Sequence, residues 1–425
     1  MDRVLTRSAM GMMDAGEPAS SALSGAAGRA PLVVHVVDAF ETAQAEHGVL
    51  KLISHLPAER YRHAIVSLND RGGDPGDTCA GGRAHGSAHE IAHGIAHGIE
   101  IVRLQRHAGR DVTHFVRLFG ALRALRPDLI HTRDGAGLPA QAVAALAGVR
   151  LSVHAEHGRR KPDRHGGLLR RALRPLIDHF VAGSADMEAW LVETVGASPG
   201  RVSQIPSGVD SVQYHPRLGP AAAVGPPGFM QDGAFVVGSV GRMDEAGNHT
   251  ALVDAFLRLI ASPHPAHARL RLLIVGDGPV RSECQALLYR AGAAARAWLP
   301  GARADVPQLL RAMDLFVQPA AADDRSHAIL EAMATGLPVV AAAAGANADL
   351  VHPGFTGILV PPQATALLAS AIADYCRIPE MAARHGARAR SQVIARHSMP
   401  AMARDYLAIY DALLRGAVDG TPQAR

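Results

Sequence analysis

"DDRSHAILEAMATGLPVVA", residues 323–341, passes from a loop through a helix into a strand. Ser326 is suited to cap a helix whose apolar face is Ile329, Leu330 and Met333. Gly336 fits a left-handed helix end, and the apolar run after it reads as a strand covered on both faces. A helix start that faces a cleft attracts anions through its free N–H groups and its dipole, and Ser326, His327 and Ala328 would form that mouth. Glu331, one turn inside, can accept two hydroxyl hydrogen bonds, as from a ribose. Asp323, in the loop, can reach a further hydroxyl-rich group. Two acids bracketing a phosphate-binding helix suit a sugar, a diphosphate and a ribose in a row. A solvated acidic loop ahead of an ordinary helix is the plainer reading of these letters alone.

The same alternation extends in both directions. Strands are expected at 31–38, 62–68 and 128–132, with helices at 45–56 and 112–127 between them, and 137–149, 151–158 and 179–184 continue the alternation. A Pro/Gly/Ala-rich stretch, 216–234, has the composition of a linker. Beyond it the pattern restarts, with strands at 235–241 and 269–278 and a helix at 248–260 between them, and the segments 282–292, 295–301, 305–313 and 314–319 lead on to the opening motif. The fold class is therefore α/β, two parallel-sheet halves facing a cleft. Residues 1–30 form a disordered leader, 31–215 the amino-terminal domain and 235–395 the carboxyl-terminal domain. Residues 396–417 form a last helix returning towards the first domain.

Composition narrows the chemistry. The 425 residues carry a formal net charge of +4, with no dense basic run, which argues against a nucleic-acid partner. Nearly all the cations are arginines; only Lys51 and Lys161 are lysines. Cys79, Cys284 and Cys376 stand far apart, so neither a disulfide framework nor a zinc site is expected, and a reducing, cytoplasmic setting fits. No apolar stretch is long enough to span a membrane. The segment 83–100 sets His85, His89, His93 and His97 at every fourth position. Interrupting glycines and a tandem AHGI repeat mark it as an insertion rather than a metal site.

Two strand ends carry further candidates. Gly241-Arg242 closes one strand, where a glycine admits a ligand to the backbone and an arginine can grip phosphate with paired hydrogen bonds. Alone, Arg242 reads equally as a surface residue capping a strand. "VGDGP" (275–279), with Gly278, is a second tight strand-to-helix junction.

Taken with "PSGVDSVQYHP" (206–216), "LPGARADVPQLLRAMDLFVQP" and "ILEAMATGLPVVA", these motifs resemble glycosyltransferase family 4, retaining enzymes of the GT-B fold with two Rossmann-like domains. "LRPDLIHTRD", "AEHGRR" and "LLRRALRPLIDHFVAGSADMEAWL" are similar to the sugar transferases of PEP-CTERM/exosortase exopolysaccharide clusters. The resemblance implies transfer from a nucleoside diphosphate sugar to a glycan or lipid-linked acceptor. It implies no metal, no separate cofactor, and peripheral contact with the inner face of the cytoplasmic membrane. By position Arg242 would hold the diphosphate, Glu331 the ribose, and Asp323 and His157 the transferred sugar. His157 could equally be a structural hydrogen-bonder.

Three positions depart from the family's pattern. Gly247 stands where lysine is usual, Ala43-Gln44 where a Gly-Gly pair is usual, and Asp323 where the first glutamate of an E-x7-E motif is usual. The shorter Asp323 sets its carboxylate back by roughly 1.5 Å. Arg159, Arg160 and Lys161 could return positive charge from across the cleft. If the losses were not offset, the chain would be a weakened GT-B protein that binds nucleotide or a partner transferase without turnover.

Overall fold

The computed structural model describes residues 29–38, 43–68, 99–104, 113–157, 164–220, 224–320 and 327–418, apart from the side chains of 43–47, 136, 164–166 and 418. The leader before residue 29 and the four spaced histidines of 83–100 lie outside the described residues.

The first half is built on β1 (Leu32–Val37), β2 (Arg62–Ser67), β3 (Glu100–Arg103), β4 (Leu129–Arg133), β5 (Leu151–Glu156), β6 (His179–Ala182) and β7 (Val202–Gln204). They lie in the order β3-β2-β1-β4-β5-β6-β7, every pair parallel. The second half holds β8 (Phe235–Val240), β9 (Leu270–Val275), β10 (Ala297–Gly301), β11 (Leu315–Gln318), β12 (Val339–Ala342) and β13 (Gly357–Val360). Their order is β10-β9-β8-β11-β12-β13, again all parallel. Two doubly wound sheets result, as the alternating pattern predicts. Every residue of β1, β5 and β9 is buried, because helices cover both faces.

The order of strands locates the ligand-binding end of each sheet. Winding reverses between β1 and β4 in the first half and between β8 and β11 in the second. At such a point the connecting helices leave in opposite directions, opening a crevice beyond the strands' carboxyl ends.

Some local expectations need adjusting. The stretch that continues the alternation at 137–149 belongs to two helices, Asp134–Gly137 and Pro139–Leu146, because Pro139 has no N–H to continue the first and instead begins the second. The linker composition of 216–234 hides an anchor. Phe229 is fully buried, its carbonyl accepts from Arg271 Nε at 2.9 Å, and Gln231 Oε1 accepts from Arg271 Nη2 at 2.6 Å.

The last helix, Met399–Val418, crosses back to the first half. Met402, Tyr406, Tyr410 and Leu413 pack on Val33, Leu52, Leu129 and Val153. Polar contacts fix its rotation: Asp411 pairs with Arg60 at 2.8 Å and accepts from the Tyr61 hydroxyl, and Tyr410 Oη lies 2.7 Å from His131 Nδ1.

Tyr410 is fully buried, so Tyr410→Ala should cost about 3–5 kcal/mol of stability through the cavity it opens. Tyr410→Phe should cost about 1–3 kcal/mol by leaving the His131 nitrogen unpaired. Each half holds one tryptophan, Trp190 or Trp298. In urea the transition seen at Trp190 should move, and an unshifted Trp190 midpoint would show the helix does not stabilise the first half.

Candidate active site

The carboxyl-terminal wall of the cleft is set by the reversal between β8 and β11. Gly241 and Arg242 follow β8; the segment after β11 leads into the helix His327–Ala334. A side-chain carbon added at Gly241 would meet nothing nearer than 3.8 Å, so this glycine leaves the strand end open. Gly278 is different. Its φ is 154°, and an added carbon would sit 2.3 Å from the Met243 carbonyl oxygen. Val280 N–H donates to that same oxygen at 3.0 Å, and Met243 N–H to Asp277 O at 3.0 Å. The glycine is required by the packing of two loops against each other, whatever it does for a ligand.

The Arg242 side chain is 81% exposed, with Nε 3.2 Å from Asp244 Oδ2. Asp244 Oδ1 also accepts the Gly247 N–H at 2.9 Å, closing a tight turn. Within it an added carbon at Gly247 would lie 2.5 Å from the Arg242 carbonyl oxygen. Glycine at 247 is thus required by the backbone, since this turn admits no side chain there.

Glu331 is partly buried in the helix His327–Ala334 and accepts the Tyr214 hydroxyl. Burial pushes its carboxyl up to about 7, against the pull of the Tyr214 hydrogen bond and the charge of Lys51. Lys51 comes from the first half, where its Nζ lies 3.6 Å from Asp210 and 3.1 Å from Gln213 Oε1. Asp210 in turn caps the N–H groups of Val212 and Gln213, each at 3.0 Å. The "PSGVDSVQYHP" stretch therefore holds the hinge and presents Tyr214 to Glu331. Gly208 serves the same purpose: a side-chain carbon there would lie 2.9 Å from the Met399 sulfur.

The opposite wall is set by β4 and β5. His157 follows β5, its N–H donating to Asp134 Oδ1 at 3.0 Å and its Nδ1 3.9 Å from the same oxygen. Asp134 adopts φ 50° to make this contact, a conformation aspartate tolerates. Gly183 supplies the room: an added carbon would lie 3.1 Å from the His157 Cα. Burial, and then the Arg133 guanidinium, hold the His157 imidazole down at about 4, so the ring is neutral near pH 7. His327 is close enough across the cleft to act on it electrostatically. The structure thus brings His157 and His327 to opposite walls, with Glu331 one turn further along.

Beneath His157 runs a buried chain that the sequence reading did not identify. Gln141 Nε2 donates to Thr132 Oγ1, which pairs with His154 Nδ1, both at 2.7 Å. His154 Nε2 meets Glu156 Oε1 at 2.9 Å, and Arg170 grips both Glu156 oxygens at 2.5 and 3.1 Å. Those bonds hold the Glu156 carboxyl down at about 2, despite its burial. The signal was present: polar letters inside apolar strands, as in "LIHT" and "LSVHAE".

Asp323, Ser326, Arg159, Arg160 and Lys161, and the side chains of Ala43 and Gln44, lie outside the described residues. Hollows of about 850 and 1330 Å³ occur at the amino ends of β1 to β3 and of β6 and β7. Both are at the wrong end of their strands for the reversal points. Among the described residues no cluster of His, Cys, Asp or Glu is placed to hold a metal ion.

Both halves of the chain are similar to known proteins. Residues 45–213 match the family described as Glycosyltransferase Family 4, and residues 234–377 match Glycosyl transferases group 1. The chain belongs to the GT-B glycosyltransferases. The fold of this glycosyltransferase is shared with a glycosyltransferase from Rickettsia africae, at a TM-score of 0.72 and 18% identity over 91% of this chain and 100% of that one. It is shared also with HepE of Anabaena, solved with UDP, at 0.69 and 20% identity over 90% and 100%. In sequence it is similar to an Escherichia coli UDP-Gal:alpha-D-GlcNAc-diphosphoundecaprenol alpha-1,3-galactosyltransferase, 28% identical over 59% of this chain and 67% of that protein. A D-inositol 3-phosphate glycosyltransferase of Nocardia farcinica is 35% identical over 46% of this chain, which spans less than half of that protein's length (44%).

The raised Glu331 carboxyl gives a test in this transferase. The folded protein keeps a proton there from about pH 4.5 to 7 that the unfolded chain has released, so stability falls as pH rises through that window. Glu331→Gln should remove on the order of 1–3 kcal/mol of that fall. Denaturant midpoints at acid and alkaline pH read the difference; equal pH slopes in both proteins would show that Glu331 ionises normally.

Proposed function

We propose that this glycosyltransferase retains anomeric configuration as it moves a sugar from a nucleoside diphosphate sugar to a glycan or lipid-linked acceptor in bacterial exopolysaccharide assembly. The observation that carries the reading is the convergence of Glu331, His327 and His157 on one cleft, at the carboxyl ends of both sheets. Glu331 accepts the ribose hydroxyls in place of Tyr214, and Arg242 swings from Asp244 to the diphosphate. The neutral His157 hydrogen-bonds the transferred sugar, and Asp323 completes its recognition. As the sugar–phosphate bond breaks, the departing phosphate oxygen takes the acceptor hydroxyl's proton on the same face. No protein group then has to exchange a proton, which suits a histidine held neutral; charge stabilisation and positioning are the protein's share. A nucleotide donor is supported by HepE with UDP and by the galactosyltransferase's UDP-Gal, and a lipid-linked acceptor by that relative's diphosphoundecaprenol substrate.

Titration with UDP, GDP and their sugars tests the donor site, followed by assay of slow donor hydrolysis. Arg242→Ala and Glu331→Ala should each weaken nucleotide binding roughly ten- to a hundredfold, the worth of a charge-assisted hydrogen bond. Hydrolysis should persist in EDTA. Nucleotide binding without any hydrolysis or transfer would mark a protein that binds but does not turn over, and no binding would remove the reading.

The acceptor places the enzyme at a membrane surface on the cytoplasmic side. No helix among the described residues is long and apolar enough to cross a membrane. The helix Arg164–Leu173 exposes Leu168 (67%) and Leu169 (44%) beside Arg171, with Leu176 exposed just beyond. Apolar tips flanked by arginine suit an interface of anionic lipid. Leu168→Ser with Leu169→Ser should reduce cosedimentation with vesicles containing anionic lipid severalfold; unchanged cosedimentation would exclude this helix as the contact.

A further inference from the structure

The reversal point of the first sheet, between β1 and β4, carries a charge that the reading so far has not used. Arg133 is the last residue of β4, at the carboxyl end that faces the cleft. Its Nε and Nη2 are buried without a hydrogen-bond partner. The nearby carboxylates are committed elsewhere: Glu156 to His154 and Arg170, Asp134 to the His157 N–H. Around the guanidinium lie the Tyr406 ring, 6.0 Å from its carbon, and the imidazoles of His35, His131 and His157, which its charge helps keep neutral. Gly48 leaves space beside it, an added carbon there lying 3.5 Å from Nη1.

A partly buried guanidinium with two idle donors, and with no carboxylate paired to it among the described residues, is costly, and a bound anion would offset that cost. Its place restricts what that can be. The second half offers Arg242 at its strand end, already paired with Asp244, and a turn at Gly247 that admits no side chain. A doubly charged ligand entering between the sheets would meet Arg133 from the opposite wall, in the fork geometry that suits phosphate oxygens.

We infer that Arg133 is a phosphate-binding residue, supplying from the amino-terminal half a cation for a phosphate group of the substrates. This rests on the proposed glycosyl transfer from a nucleotide donor. The phosphate belongs either to the donor's diphosphate or to the diphosphate of a lipid-linked acceptor, and the experiment separates the two.

Full-length Arg133→Gln and Arg133→Met are compared with the parent by calorimetric titration of UDP or GDP, whichever the parent binds, and of the matching nucleoside. Pyrophosphate is then titrated with the nucleotide site saturated, as a probe of a second anion site. A tenfold or greater loss for the nucleotide, with the nucleoside unchanged, assigns Arg133 to the donor. An unchanged nucleotide with pyrophosphate binding lost assigns it to the acceptor. Loss of neither overturns the inference. Stability without ligand is an independent readout: removing an unpaired buried charge should leave Arg133→Met at least as stable as the parent. A destabilised Arg133→Met with unaltered anion binding would make Arg133 a structural partner of Tyr406 and overturn the inference too. A parent that binds no nucleotide would fail the functional reading itself, an outcome distinct from these.

Discussion

The chain passes between its two sheets twice, and the two crossings are hydrogen-bonded to each other. Val209 N–H donates to the His397 carbonyl at 2.7 Å, and Met399 N–H donates back to the Val209 carbonyl at 3.1 Å. Backbone groups of a buried crossing have no sheet to satisfy them, so each crossing supplies the other's partners. Gly208 makes the approach geometrically allowed, and the Met399–Val418 helix then anchors the pair in the first half's core. Everything in the cleft depends on this joint, because each sheet contributes only one wall. Lys51 extends it, tying the first half to Asp210 and Gln213, one residue from the tyrosine that holds Glu331.

The sequence made the architecture legible where burial was two-sided. β1 and β9 are nearly uninterrupted apolar runs, which a sheet covered on both faces hides completely. β3, β7 and β13 were not legible. Glu100–Arg103 is exposed at both ends, Val202–Gln204 is three residues at a sheet edge, and Gly357–Val360 begins at a glycine. Their pairing is decided by neighbours, not by their own pattern. The site divides along the same line. Glu331, Arg242 and His157 stand in motifs that are contiguous in sequence. Tyr214, Lys51, Asp134 and Arg133 gain meaning only when segments far apart in the chain are brought together. Gly278 shows the reverse: its letter suggested a ligand, yet the Met243 carbonyl beside it already demands glycine.

The distribution of charge in the cleft follows from which groups the fold lets ionise. Burial drives His35 and His131 well below the ordinary imidazole range and takes His157 down to about 4. At neutral pH these rings are uncharged, able to donate and accept hydrogen bonds without adding to the local potential. Positive charge is left to the guanidiniums of Arg133 and Arg242 and to the Lys51 ammonium. A site divided in this way treats the two ends of a sugar nucleotide differently. In the proposed reaction neutral rings would meet hydroxyls, whose two-way hydrogen bonding they match, and fixed cations would meet phosphate, whose charge grows as the sugar departs. A histidine that gained a proton beside the sugar would oppose the positive charge developing on that sugar as its bond to phosphate breaks. Keeping His157 neutral is therefore as much a requirement of the proposed reaction as keeping Arg242 charged, and the burial that costs the fold an unpaired polar group or two is what secures it.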